Sequence, residues 1–77
     1  MAEGFTPPVI EKEIGVLSQG KGGWKLELNF VSWNGRPAKY DIRSWDENHE
    51  KMGKGVTFTQ EELLELKKIL NGMSELN

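Results

Sequence analysis

From Trp24 to Trp33 the side chains alternate without a break. Trp24, Leu26, Leu28 and Phe30 fall on one parity; Lys25, Glu27 and Asn29 fall on the other, followed by Val31 and Trp33. A period of two sustained this long fits an extended chain with one side covered and the other wet. A strand needs neighbours, and the flanking sequence supplies them. Val9–Leu17 sets Ile10, Ile14 and Val16 against Glu11 and Glu13. Ala38–Trp45 sends Ala38, Tyr40 and Ile42 one way and Lys39, Asp41, Arg43 and Trp45 the other. Val56–Phe58 is a short fourth strand.

The connections are short. Ser18–Gly23 reads SQGKGG, a glycine-rich loop. Asn34-Gly35 is a hairpin signal, since both residues tolerate positive φ. Pro37 is confined to the start of the next strand or to an edge. Asp46–Gly55 is polar and carries two glycines, which predicts a loop. Thr59 followed by Glu62 has the capping-box form, and Leu63, Leu66, Ile69, Leu70 and Met73 then keep a 3.6-residue period. Asn71-Gly72 stops that helix. The order is β-β-β-β-α, an α+β fold with a four-stranded antiparallel β-sheet followed by one C-terminal α-helix. Residues 1–8, with Gly4, Pro7 and Pro8, read as a flexible arm, 9–73 as the domain and 74–77 as a tail.

Seventy-seven residues give one small domain, and a chain this short buries little of its surface. There is no Cys and only one His, which excludes disulfides, thiolate metal sites and histidine clusters. No metal and no organic cofactor is expected. One amphipathic helix cannot cover a four-stranded sheet. The expectation is therefore a homodimer, with Leu66, Ile69, Leu70 and Met73 at the subunit contact. No apolar run approaches the ~18–20 residues that span a bilayer, and no secretory signal is visible, so a cytoplasmic protein with no membrane partner is expected.

Catalysis has little support. Ser18, Ser32, Ser44 and Ser74 have only His49 as a base, and it reads as a solvated loop histidine. Asp46, Glu47 and Glu50 have nothing to desolvate them, and the QGKGG loop lacks the spacing of a phosphate loop. No enzyme and no small-molecule substrate are expected. The net charge of −2 does not advertise a polyanion, but the charge is segregated: residues 14–45 carry five basic and two acidic side chains. All three Trp and the one Tyr lie in that stretch. Cations interleaved with aromatic faces are what single-stranded nucleic acid requires. Trp33 and Trp45 share a face with Lys25, Lys39 and Arg43, while Trp24 shares the apolar parity and reads as core. The competing reading makes all the tryptophans core anchors. Glu27 and Asp41, on the charged face, are placed to pair with its Lys and Arg.

Tyr40-Asp41-Ile42-Arg43-Ser44-Trp45, then Gly53-Lys54-Gly55-Val56-Thr57-Phe58-Thr59, then a Glu-rich helix ending Leu66-Lys67-Lys68-Ile69-Leu70, form an ordered set. With Ile14-Gly15 and Trp33-Asn34-Gly35-Arg36, the set resembles the C-terminal domain of the transcriptional positive cofactor 4 family. It is most similar to the compact bacterial, YdbC-type branch. The resemblance covers roughly residues 10–70. It implies a curved sheet, a homodimer, and binding of single-stranded DNA with little sequence preference, in transcription, replication or repair. If the source is bacterial, it implies nucleoid association. Carried over, the hairpin aromatic falls on Trp33, the basic residue after the turn glycine on Arg36, the strand arginine on Arg43 and the lysine before the last strand on Lys54. Trp45 corresponds approximately to a further aromatic. Asn34 stands where the family often has Lys, Pro37 looks inserted, and the long Gln19–Gly23 loop leaves Lys21 and Lys25 as substitutes for basic residues near the first turn.

Two functions follow from these residues. The first is a single-stranded DNA-binding protein using Lys21, Lys25, Trp33, Asn34, Arg36, Lys39, Arg43, Trp45 and Lys54, with RNA as a second possible ligand. The second is an interaction module whose Trp- and Arg-rich face binds a peptide or partner subunit. Salt separates them, because polyanion binding weakens steeply as salt rises.

Overall fold

In the computed structural model, which describes residues 6–77, four strands form one open antiparallel sheet in the order β1-β2-β3-β4. They are β1 (Val9–Gln19), β2 (Lys25–Ser32), β3 (Lys39–Trp45) and β4 (Met52–Phe58), followed by the helix α1 (Gln60–Asn71). Residues 1–5 of the expected arm lie outside the described residues. Thr6–Pro8 have no regular structure, and the Thr6 N–H donates to Asn34 Oδ1 at 2.9 Å.

The expected hairpin forms as drawn. Asn34 and Gly35 take φ of 53° and 75°, and the Arg36 N–H closes the turn on the Trp33 carbonyl at 3.0 Å. Positive φ at both central positions gives a turn whose twist matches the flanking strands. The helix also starts where expected. Thr59 Oγ1 accepts from the Glu62 N–H at 3.1 Å, and the Glu62 carboxylate accepts from the Thr59 N–H at 2.9 Å. The expected tail is a short 3₁₀ turn, Ser74–Leu76, and the Asn77 side chain donates to the carbonyls of Asn71 and Met73.

Three expectations need correction. The loop over 46–55 is too long: β4 already begins at Met52, with Met52 opposite Trp45 and Gly55 opposite Arg43. Glycine carries no periodic signal, so the first half of this strand is invisible to an alternation test. The first strand runs on through Gln19, and it is exposed from Glu11 onward. Its register with β2 shifts three times, between Ile10 and Lys12, Glu13 and Gly15, and Val16 and Ser18, so no single parity of β1 stays against the sheet.

The third correction concerns which face is buried. The charged parity, expected to be wet, holds the most buried side chains: Val31 and Trp45, with Glu27, Asn29 and Asp41. Trp33 and Trp45 project from opposite ends of the β2–β3 ladder, yet their ring centroids are 6.4 Å apart. The two rings close over the residues between them, and this side is called the Trp face below. On the opposite, leucine face, Leu26, Leu28, Phe30, Tyr40 and Ile42 are only half-buried. The helix touches β3 and β4 lightly and stands away from the rest of the sheet. Leu63, Leu66 and Leu70 of α1 face Leu17, Leu28 and Ile42 across an open apolar groove of about 400 Å³. Trp24, expected in the core, precedes β2 and is half-buried.

Burial therefore reverses the ranking of the tryptophans by stability. Trp45→Ala is expected to cost ~3–5 kcal/mol of folding stability, the range for truncating a buried large aromatic. Trp24→Ala should cost clearly less. Denaturant unfolding of the two variants beside the wild type measures both.

Candidate nucleic-acid interface

The hairpin carries the first part of the site. Trp33 opens the turn and Arg36 closes it, and the Ser32 hydroxyl donates to the Arg36 carbonyl at 2.6 Å. Pro37 and Ala38 then lead into β3. Trp33, Arg36, Pro37, Lys39, Arg43 and Thr57 line one groove on the Trp face. Arg36 and Lys39 are exposed, and neither makes an ion pair among the described residues.

Arg43 is placed differently. Its Nε lies 2.9 and 3.0 Å from the two Asp41 carboxylate oxygens, and its Nη2 lies 2.9 Å from Oδ2. Nη1 donates to the Gly53 carbonyl at 3.2 Å. Its Cζ stands 4.4 Å from the centre of the Trp33 ring, within cation–π range. Gly55 makes room for this side chain: a β-carbon there would overlap Arg43 Cβ and the Ile42 carbonyl. The expected pairing of Asp41 with a cation of its own face is thus formed. Glu27 finds a different partner, one the sequence reading missed.

That partner is His49. Read as a solvated loop residue, it is instead half-buried, with Nε2 2.9 and 3.0 Å from the Glu27 oxygens. A carboxylate can only accept, so Nε2 carries the proton here. Asn29 Nδ2 donates to the same carboxylate at 2.9 Å, and the His49 ring lies 5.7 Å from Trp45, centre to centre. The loop that delivers His49 is tied by Asp46, whose Oδ1 accepts the backbone N–H groups of Glu50 at 2.7 Å and Lys51 at 2.9 Å. A single histidine in a polar stretch gave no hint of this pairing.

The remaining candidates scatter. Trp45 is the clearest departure: expected to offer a ring to solvent, it is 1% exposed, covered by Trp33 and His49. Lys25 starts β2 opposite Trp45 and lines a second hollow with Glu13, Gly15, Glu27, Asn29 and His49. Lys21 is exposed in the 3₁₀ turn Lys21–Gly23. Lys54 is exposed and alternates with Gly55, so it falls on the parity of Val56 and Phe58 rather than in the groove. Asn34 is exposed at the turn, its Oδ1 engaged by Thr6. At the expected subunit contact, Ile69 and Leu70 are 56% and 40% exposed, and Leu66 and Met73 are half-buried. Thr57 and Pro37 line the groove and went unrecognised. Thr57 lay within the expected fourth strand, and its pairing opposite Asp41 puts it on the Trp face. No helix among the described residues is long and apolar enough to cross a membrane.

An open four-stranded sheet ending in one helix, with an aromatic and cationic groove on the face away from the helix, defines a small α+β sheet-and-helix domain. The chain matches the Transcriptional Coactivator p15 (PC4) family over residues 21–69 and belongs to that family. It is also 52% identical over 65 residues, 84% of this chain and 76% of the relative, to an uncharacterized protein of Treponema pallidum (strain Nichols).

The Asp46 turn makes a pH prediction. Its hydrogen bond from the Lys51 N–H, above all, holds the Asp46 carboxyl below its ordinary pKa. A depressed carboxyl stabilises the fold above its unfolded pKa, and that contribution is lost as pH falls through the folded value. Asp46→Ala should therefore lower Tm at neutral pH. The gap to wild type should close as the pH drops below the ordinary carboxylate range, and thermal melts across pH measure it.

Proposed function

We propose that this protein is a homodimeric single-stranded DNA-binding protein that holds the strand along the Trp face by stacking and charge, without catalysis. The observation that carries the reading is the groove in which the Trp33 ring adjoins two cations, Arg36 and Lys39, that make no ion pair among the described residues. Unstacked bases need an aromatic face and phosphates need nearby cations; a duplex hides its base faces. Membership of the PC4 family supports a nucleic-acid ligand. Of the tryptophans, Trp33 is the stacking residue and Trp45 a support beneath it. Lys25 and Lys21 extend the cationic track beyond the groove, and Lys54 and Asn34 contribute little to it.

The dimer follows from what is left uncovered. Val31 and Trp45 are the only fully buried hydrophobic side chains among the described residues, and the leucine face with the α1 stripe stands open. A second copy packing Leu66, Ile69, Leu70 and Met73 against that groove completes the core. Sedimentation at micromolar concentration should give a dimer. Leu70→Asp should dissociate or unfold it; a stable wild-type monomer overturns this part of the reading.

Binding is tested by titrating a labelled oligothymidine, its duplex and the matching RNA at several salt concentrations. The single strand should bind more tightly than the duplex and quench Trp fluorescence. Trp33→Ala should cost ~1–3 kcal/mol of binding, together with some folding stability, because its ring covers Trp45. Arg36→Ala should flatten the dependence of log K on log salt by ~0.7. Salt-insensitive capture of peptides instead of DNA would favour the interaction-module reading.

A further inference from the structure

Of the three basic side chains in the groove, Arg43 is the one the strand cannot readily use. Its Nε–Nη2 edge is taken by Asp41, and Nη1 is bonded to the Gly53 carbonyl. Its side chain is 15% exposed, and that of Asp41 is fully buried. Fork-like recognition of a phosphate needs a free donor edge, and both edges here already carry a partner. The pair is also neutral overall, so it adds little to the attraction of a polyanion. What the guanidinium does have is a flat face against Trp33, with Cζ 4.4 Å from the ring centre.

We infer that Asp41 is a positioning residue for single-strand binding: through Arg43 it fixes the Trp33 ring in the orientation that receives a base, and Arg43 is a support for that ring, not a phosphate contact. The inference rests on the proposed function. Trp33 lies just beyond the end of β2, at a turn, where no strand pairing fixes its side chain. Its indole Nε1 is buried without a hydrogen-bond partner among the described residues, so none of their polar groups orients the ring. Packing must do so, against Trp45 and the Arg43 guanidinium. The guanidinium is placed in turn by a buried carboxylate that cannot move without exposing an unpaired charge. The empty space over Gly55 lets the arginine lie flat across β4. Holding a ring in its bound orientation before the ligand arrives removes an ordering cost from binding.

Asp41→Asn separates this from the phosphate reading by the sign of its effect. The substitution keeps the shape, removes a negative charge and loosens Arg43. If Arg43 met phosphate, the variant would bind oligothymidine more tightly, with a steeper salt dependence. If Arg43 supports Trp33, the variant binds roughly five- to tenfold more weakly, with less Trp quenching and an unchanged salt slope, part of the ~1–3 kcal/mol of one base stack being lost. Arg43→Lys is the second variant, because it keeps the charge and loses the flat fork. It should weaken binding to the same extent, again at constant slope, while Arg36→Ala changes the slope. Circular dichroism and thermal unfolding establish which variants are folded, and Arg43→Lys decides the matter if Asp41→Asn is not. Wild type that fails to bind single strands overturns the proposed function and this inference with it. Wild type that binds, with Asp41→Asn equal or tighter or Arg43→Lys unchanged, overturns the inference alone.

Discussion

A carboxylate with no exposed surface sits in the middle of the sheet, and the rest of the Trp face is arranged around it. A lone buried carboxylate costs several kcal/mol, so Asp41 at this position calls for a partner. Arg43, two residues along the same strand face, neutralises it. An arginine lying flat needs space on the neighbouring strand, and Gly55 provides it. Once flat, the guanidinium presents its face to Trp33, and Trp33 reaches across to Trp45. A second buried acid, Glu27, repeats the logic toward the other end of β2, with His49 and Asn29 as its partners. The paired polar groups of this face tie its side chains to one another.

This also reconciles an acidic chain with a nucleic-acid ligand. On the Trp face Asp41 is ion-paired with Arg43, and Glu27 is hydrogen-bonded by His49 and Asn29. The carboxylates that make the net charge negative are concentrated on β1, the 46–50 loop and α1. Fields in salt fade over about 10 Å, so a groove edged by Arg36 and Lys39 feels those two cations more than the total.

Much of the architecture was legible from local signals. The Trp24–Trp33 alternation, the Asn34-Gly35 turn and the Thr59–Glu62 box each fix a short stretch of backbone by themselves, and each holds in the structure. Alternation, however, says only that two faces exist. Which one is covered depends on what lies above it. Here two large rings from the charged parity fold inward, while the leucine parity keeps only part of a helix. The same ambiguity misplaced Trp45: its spacing with Arg43 put it correctly on the charged face, but nothing local told that it is covered by Trp33 and His49. Gly53-Lys54-Gly55 lacked the side chains that would announce a strand, although the absence of one at Gly55 is what β3 requires. His49 was unreadable because its partner Glu27 lies 22 residues away.

The three register shifts of β1 have a further consequence. This strand is an edge, and Val9, Ile14, Val16 and Leu17 are exposed along it. A long, flat, apolar edge offers a row of evenly spaced amide and carbonyl groups on which a foreign strand can nucleate. Each shift breaks that even spacing and adds local twist. Eleven residues on β1 are drawn against eight on β2, so the outward-facing groups never present a straight ladder. A chain this small has no spare helix or loop to cover its first strand. The irregular pairing acts in place of such a cover, making the edge a poor template for fibril growth while leaving its apolar side chains in place.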